Sequence, residues 1–120
     1  MRKLAALSVI ATMLALGGAG ATSASTTHSA WSDAAIARGL LCIHRYEGSW
    51  QDSGAPYYGG LQMDWNFMQA YGSTFLRRWG HAGHWPVWAQ LQAGVTGAKA
   101  RHGFNPWPRT RIPCGLPYYF

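Results

Sequence analysis

Apolar residues return at helical intervals in several stretches of this chain, and no long run shows the apolar–polar alternation of a half-buried strand. Ile36, Leu40, Ile43 and Glu47 fall on one face of a helix that Ser32 can cap, with Asp33 well placed in its first turn and Gly48 suited to close it. Asp64 can cap a second helix over Trp65 to Tyr71, stopped by Gly72, and Ser73 can begin a short third one ending near Gly80. Pro86 suits the first turn of a longer helix through Val87, Leu91, Val95 and Ala98 that ends before Gly103, although two internal glycines weaken the signal. Between the first two helices, Asp52, Ser53, Pro56 and the glycines from Gly48 to Gly60 predict a turn-rich loop with a short hairpin around Tyr57 and Tyr58. Four prolines from Pro106 to Pro117 make the tail after Phe104 an ordered loop. The expected class is mainly α, in the α+β sense, with about four helices and a short hairpin or loop lining a groove.

The first apolar run is of another kind. Arg2 and Lys3 precede a largely apolar stretch from Leu4 to Leu16, and small residues from Gly17 to Ser25 offer cleavage sites, so residues 1–24 read as a signal peptide and 25–120 as the domain. The stretch is shorter than the roughly 20 apolar residues that span a bilayer, so no membrane insertion is expected after cleavage. The remaining 96 or so residues suffice for one domain. Without Arg2 and Lys3, eight of the ten basic residues face four acidic ones, a net +4. The positive residues are scattered apart from Arg77-Arg78 and Arg109-Thr110-Arg111, which excludes a nucleic-acid stripe and suits an anionic surface such as a cell wall. Export and an even count predict a disulfide between Cys42 and Cys114.

Glu47 is the sole glutamate, set in Tyr46-Glu47-Gly48-Ser49-Trp50 at a helix end, and its position favours chemistry over solubility. Apolar neighbours such as Tyr46 and Trp50, together with the negative end of the helix, would disfavour its charge, as a general acid needs. Asp33 lies at the far end of that helix and Asp64 is a cap, so Asp52 is the one candidate for a second carboxylate; an Asx turn with Ser53 and Gly54 explains it equally well. Tyr57, Tyr58, Gln62 and, more weakly, Trp50 are candidates for binding a saccharide through aromatic faces and an amide, with Gly59 and Gly60 allowing close approach or serving only the turn. One of the two tyrosines is expected to be simply packed in the hairpin. His44 could tune Glu47 from the same helix face. His81 and His84, with His44 and His102, lack the company of a metal-binding motif, so neither metal nor cofactor is expected.

The ordered set Tyr46-Glu47-Gly48-Ser49-Trp50, Tyr57-Tyr58-Gly59-Gly60-Leu61-Gln62-Met63, Asn105-Pro106-Trp107-Pro108 and Cys114 resembles the transglycosylase-like domain of actinobacterial resuscitation-promoting factors, from about Trp31 to Leu116. The resemblance implies a small lysozyme-like fold that cleaves the β-1,4 bond between N-acetylmuramic acid and N-acetylglucosamine in peptidoglycan, with Glu47 as the acid. Better-known members carry the cysteine beside the glutamate, a longer loop before the tyrosines, and a threonine where Phe67 stands, which marks this chain as divergent. The expectation is a secreted monomeric lytic transglycosylase or lysozyme-type hydrolase, whose partners are glycan strands and a cell-wall peptidase. The rival reading is a secreted, noncatalytic saccharide-binding module of the same fold.

Overall fold

Helix α1, Asp33–Glu47, begins where the Ser32 hydroxyl accepts a hydrogen bond from the Ala35 N–H at 3.1 Å, and it buries Ile36, Leu40 and Ile43 completely. Its last residue is Glu47. The computed structural model describes residues 30–120, so the expected signal peptide and the start of the domain lie outside the described residues. Helix α2, Trp65–Tyr71, is capped by the Asp64 carboxylate, which accepts from the Phe67 N–H at 2.8 Å. Gly72 ends α2 and opens α3, Ser73–Trp79, and Gly80, at a φ of 82°, stops α3. A single 3-10 turn, Ala82–His84, leads to α4, Val87–Ala100, with Pro86 one residue ahead of it. The protein is mainly α, and no strand occurs among the described residues.

α4 packs against α1 and α2 through an inner face of Ala89, Ala93, Gly94, Gly97 and Ala98. A Cβ on Gly94 would lie 2.8 Å from both Leu40 Cδ1 and Leu61 Cδ1, and one on Gly97 would enter the Phe67 ring. Each glycine costs the helix about 1 kcal/mol relative to alanine. The close approach that they allow buries Leu40, Leu61 and Phe67, each contributing roughly 1.5–3 kcal/mol. Packing therefore overrides the propensity that argued against this helix.

The hairpin is reduced to one antiparallel bridge, in which Tyr58 and Met63 exchange two backbone hydrogen bonds of 2.9 Å around a tight turn. The turn is held from beneath by Gln90, fully buried on α4. Its Oε1 accepts from the Gly60 N–H at 2.8 Å, while its Nε2 donates to the carbonyls of Trp50 at 2.8 Å and Trp85 at 3.1 Å. The proline-rich tail crosses the same region. Trp107 is buried and donates its indole N–H to the Leu61 carbonyl at 2.9 Å. The disulfide Cys42–Cys114 then ties the tail to α1. Among the described residues no helix is long and apolar enough to cross a membrane, which with the disulfide is compatible with export.

Candidate active site

The end of α1 delivers Glu47 into a cleft of about 340 Å³ whose opposite wall is the tail, Pro106 to Thr110, and whose side is formed by Tyr57 and Gln62. The Thr110 hydroxyl donates to Glu47 Oε2 at 2.6 Å. Burial pushes the Glu47 carboxyl above its ordinary value, and the Thr110 hydrogen bond, the smaller effect, pulls the other way. The apolar surroundings are not those expected from the sequence. Tyr46 is exposed and Trp50 does not line the cleft; Pro106, Trp107 and Pro108 do.

A second hollow of about 560 Å³ shares Tyr57, Gln62, Pro106 and Pro108 with the first, so the two run together as one groove. Its other residues include Asn66, Phe67, Tyr71, Arg101 and Asn105. Tyr57 is half exposed, the state of a ring available to a ligand. Gln62, at a φ of 50°, donates its amide nitrogen to Asp52 Oδ2 at 2.7 Å and to the Gly59 carbonyl at 3.0 Å. Two acceptors fix which end of the amide is nitrogen, and among the described residues Gln62 Oε1 takes no donor, so it is placed to accept from a ligand.

Asp52 does not line either hollow. Its Oδ1 accepts from the Gly54 N–H at 2.9 Å and its Oδ2 from Gln62, and these two bonds, in that order, hold its carboxyl below the ordinary value. It is therefore an ionised Asx turn that orients Gln62. Gly48 makes the arrangement possible: a Cβ there would stand 2.8 Å from Gln62 Nε2 and 3.1 Å from Asp52 Oδ2.

The other candidate residues divide between the groove and the packing around it. Trp50 stacks on His44, centroids 3.8 Å apart, and His44 Nδ1 meets the Gly60 carbonyl at 3.0 Å, so both residues brace the turn; neither lines the groove, and the Glu47 side chain takes its hydrogen bond from Thr110. Tyr58 stacks on His81 at 4.4 Å and is the packed member of the tyrosine pair. Gly59 and Gly60 face inward, where any Cβ would strike Gln90 or Trp50, so they serve packing and leave no backbone approach to a sugar. His81 stacks on His84 at 4.2 Å and accepts from the Gly83 N–H through Nδ1. Burial foremost and the neighbouring His84 charge second hold His81 below its usual value, and no group of three metal-ligating side chains occurs among the described residues. Thr110, Arg109 and Arg101 had no local signal that marked them for the groove, although Arg109-Thr110-Arg111 stood out as a basic cluster.

No family model, curated protein or solved structure matches this chain. What the site can do follows from its own groups. A carboxyl biased towards its protonated form opens onto a groove offering an aromatic face, an amide acceptor and two arginines, which suits proton donation to a polar, extended ligand.

Proposed function

We propose that this protein is a secreted, monomeric glycosidase that cleaves the β-1,4 bond between N-acetylmuramic acid and N-acetylglucosamine in peptidoglycan. The observation that carries the reading is Glu47: a partly buried carboxyl, raised by burial and oriented by Thr110, in a groove lined by Tyr57 and Gln62. The motif resemblance to the resuscitation-promoting factors, centred on the same glutamate, supports it and suggests a lysozyme-like descent.

Glu47 donates its proton to the glycosidic oxygen as the bond to the muramyl C1 breaks, and the N-acetylglucosamine hydroxyl leaves. The resulting carboxylate takes the proton of the muramyl 6-hydroxyl, whose oxygen closes on C1 to give a 1,6-anhydro end and restores the acid. Asp52, turned away into its Asx turn, favours this one-carboxylate course over a two-carboxylate hydrolysis. Tyr57 packs on a sugar face, and Gln62 Oε1 accepts from an acetamido N–H or a hydroxyl. Incubation with purified peptidoglycan and mass spectrometry of the new ends tests the proposal. Anhydromuramyl ends are expected, with turnover lowered roughly 10²- to 10⁴-fold in Glu47→Gln. A folded Glu47→Gln variant cleaving at the wild-type rate overturns the assignment, and binding without cleavage by both proteins leaves the noncatalytic module.

A further inference from the structure

Two arginines line the groove on either side of its shared neck. Arg109 lies with Glu47 in the smaller hollow, and Arg101 lies in the larger one beyond Tyr57, Gln62, Pro106 and Pro108. Neither guanidinium makes a hydrogen bond or ion pair among the described residues, where the sole ion pair is Lys99–Asp33 at 2.8 Å. Arg101 bonds only through its backbone: its N–H donates to the Gly97 carbonyl at 2.9 Å and its carbonyl accepts from Asn105 Nδ2 at 2.8 Å, which fixes the backbone beneath an exposed side chain. Asp64 lines the same hollow, but its Oδ1 caps α2 and it forms no ion pair with Arg101.

An unpaired guanidinium on a groove wall presents a planar fork of donors that matches a carboxylate. Neutral sugars offer hydroxyls and amides, which Tyr57, Gln62 and Asn105 can meet without a charge. We propose that Arg101 is a specificity-determining residue that reads a carboxylate carried by the glycan away from the scissile bond, so that the groove selects an acidic glycan over a neutral one of the same backbone. This rests on the saccharide-cleaving reading of the groove. The carboxylate has two possible sources in a muramyl polymer, the lactyl group where the peptide stem has been removed and the stem peptide itself.

The test measures binding of the full chain, by intrinsic tryptophan fluorescence, to three probes: stem-free muramyl glycan fragments, the same fragments with stems, and chitin oligosaccharides. Wild type is expected to prefer an acidic probe over chitin roughly tenfold, a preference that shrinks with added salt. In Arg101→Gln the ratio falls towards one, and Arg101→Lys restores part of it. Preference for the stem-free fragments assigns the lactyl carboxylate, and preference for the stemmed ones assigns the peptide. A ratio near one in wild type, or one unmoved by Arg101→Gln, overturns the inference. Because the readout is affinity, a protein that prefers acidic glycan but never cleaves it sinks the enzymatic reading alone, whereas a protein that cleaves both polymers with equal affinity sinks only this inference.

Discussion

Replacing Gln90 by leucine keeps the approximate volume of the side chain and removes all three hydrogen bonds it makes. The Gly60 N–H and the Trp85 carbonyl then lose a partner in the interior, while the Trp50 carbonyl is partly buried and can turn to water. Stranding a buried polar group costs about 1–3 kcal/mol, so two such groups give about 2–6 kcal/mol, from which the greater apolar burial of leucine recovers about 1–2. The midpoints of those ranges give a net loss of about 2–3 kcal/mol, a large part of the roughly 5–15 kcal/mol that holds a domain together. The assay is urea unfolding with the disulfide intact, followed by tryptophan fluorescence. The midpoint should fall clearly with little change in slope. Peptidoglycan cleavage should fall as well, since Gly60 is two residues from Gln62. A midpoint equal to wild type would mean that Gln90 is not the clamp described, and the account of how the turn is held would fail.

Thr110→Val removes the hydrogen bond that favours ionised Glu47, leaving burial unopposed, so the carboxyl keeps its proton to higher pH and the alkaline limb of kcat/KM should move upward. Movement to lower pH would show that Glu47 is not the group titrating on that limb. Breaking Cys42–Cys114 by double substitution to alanine, across a separation of 72 residues, should lower stability by about 4 kcal/mol in the chain-entropy model, read as a drop in thermal midpoint. An unchanged midpoint would show that the tail stays in place without it. Tyr57→Ala should weaken saccharide binding with the fold retained, whereas Tyr58→Ala should lower stability by removing the ring that covers His81; equal loss of affinity at matched stability would refute the division between them.

Helix ends were legible from sequence because their causes are local. Ser32 and Asp64 sit three residues from the N–H groups they accept from, and Gly80 has only to reach a positive φ. Glu47 was legible for a similar reason, as a lone acid at the end of an apolar helix face. An aromatic side chain announces that it will stack and not on what, so the local sequence neither kept Trp50 out of the groove nor told which tyrosine would be the packed one. The imidazoles of His44 and His81 claim Trp50 and Tyr58. Gly94 and Gly97 look like helix breakers until Leu40, Leu61 and Phe67 arrive from other elements. Gln90 is a polar residue in step with a face of alanines and glycines, a signal that could have been read. Thr110 offered none, because its role depends on the path of the tail across a gap of 63 residues.

The contact between Thr110 and Glu47 also sets an order in time. Glu47 leaves the ribosome first, and the segment that walls and orients it follows only after α2, α3 and α4 have been made. Until the tail folds back, the glutamate stands at an open helix end with neither the proline–tryptophan wall nor the hydroxyl beside it. A chain stopped before residue 106 would keep the acid and lose its setting. Nascent or clipped forms would thus carry Glu47 as an ordinary solvated carboxylate, and its burial and its bond to Thr110 would arrive only with the tail.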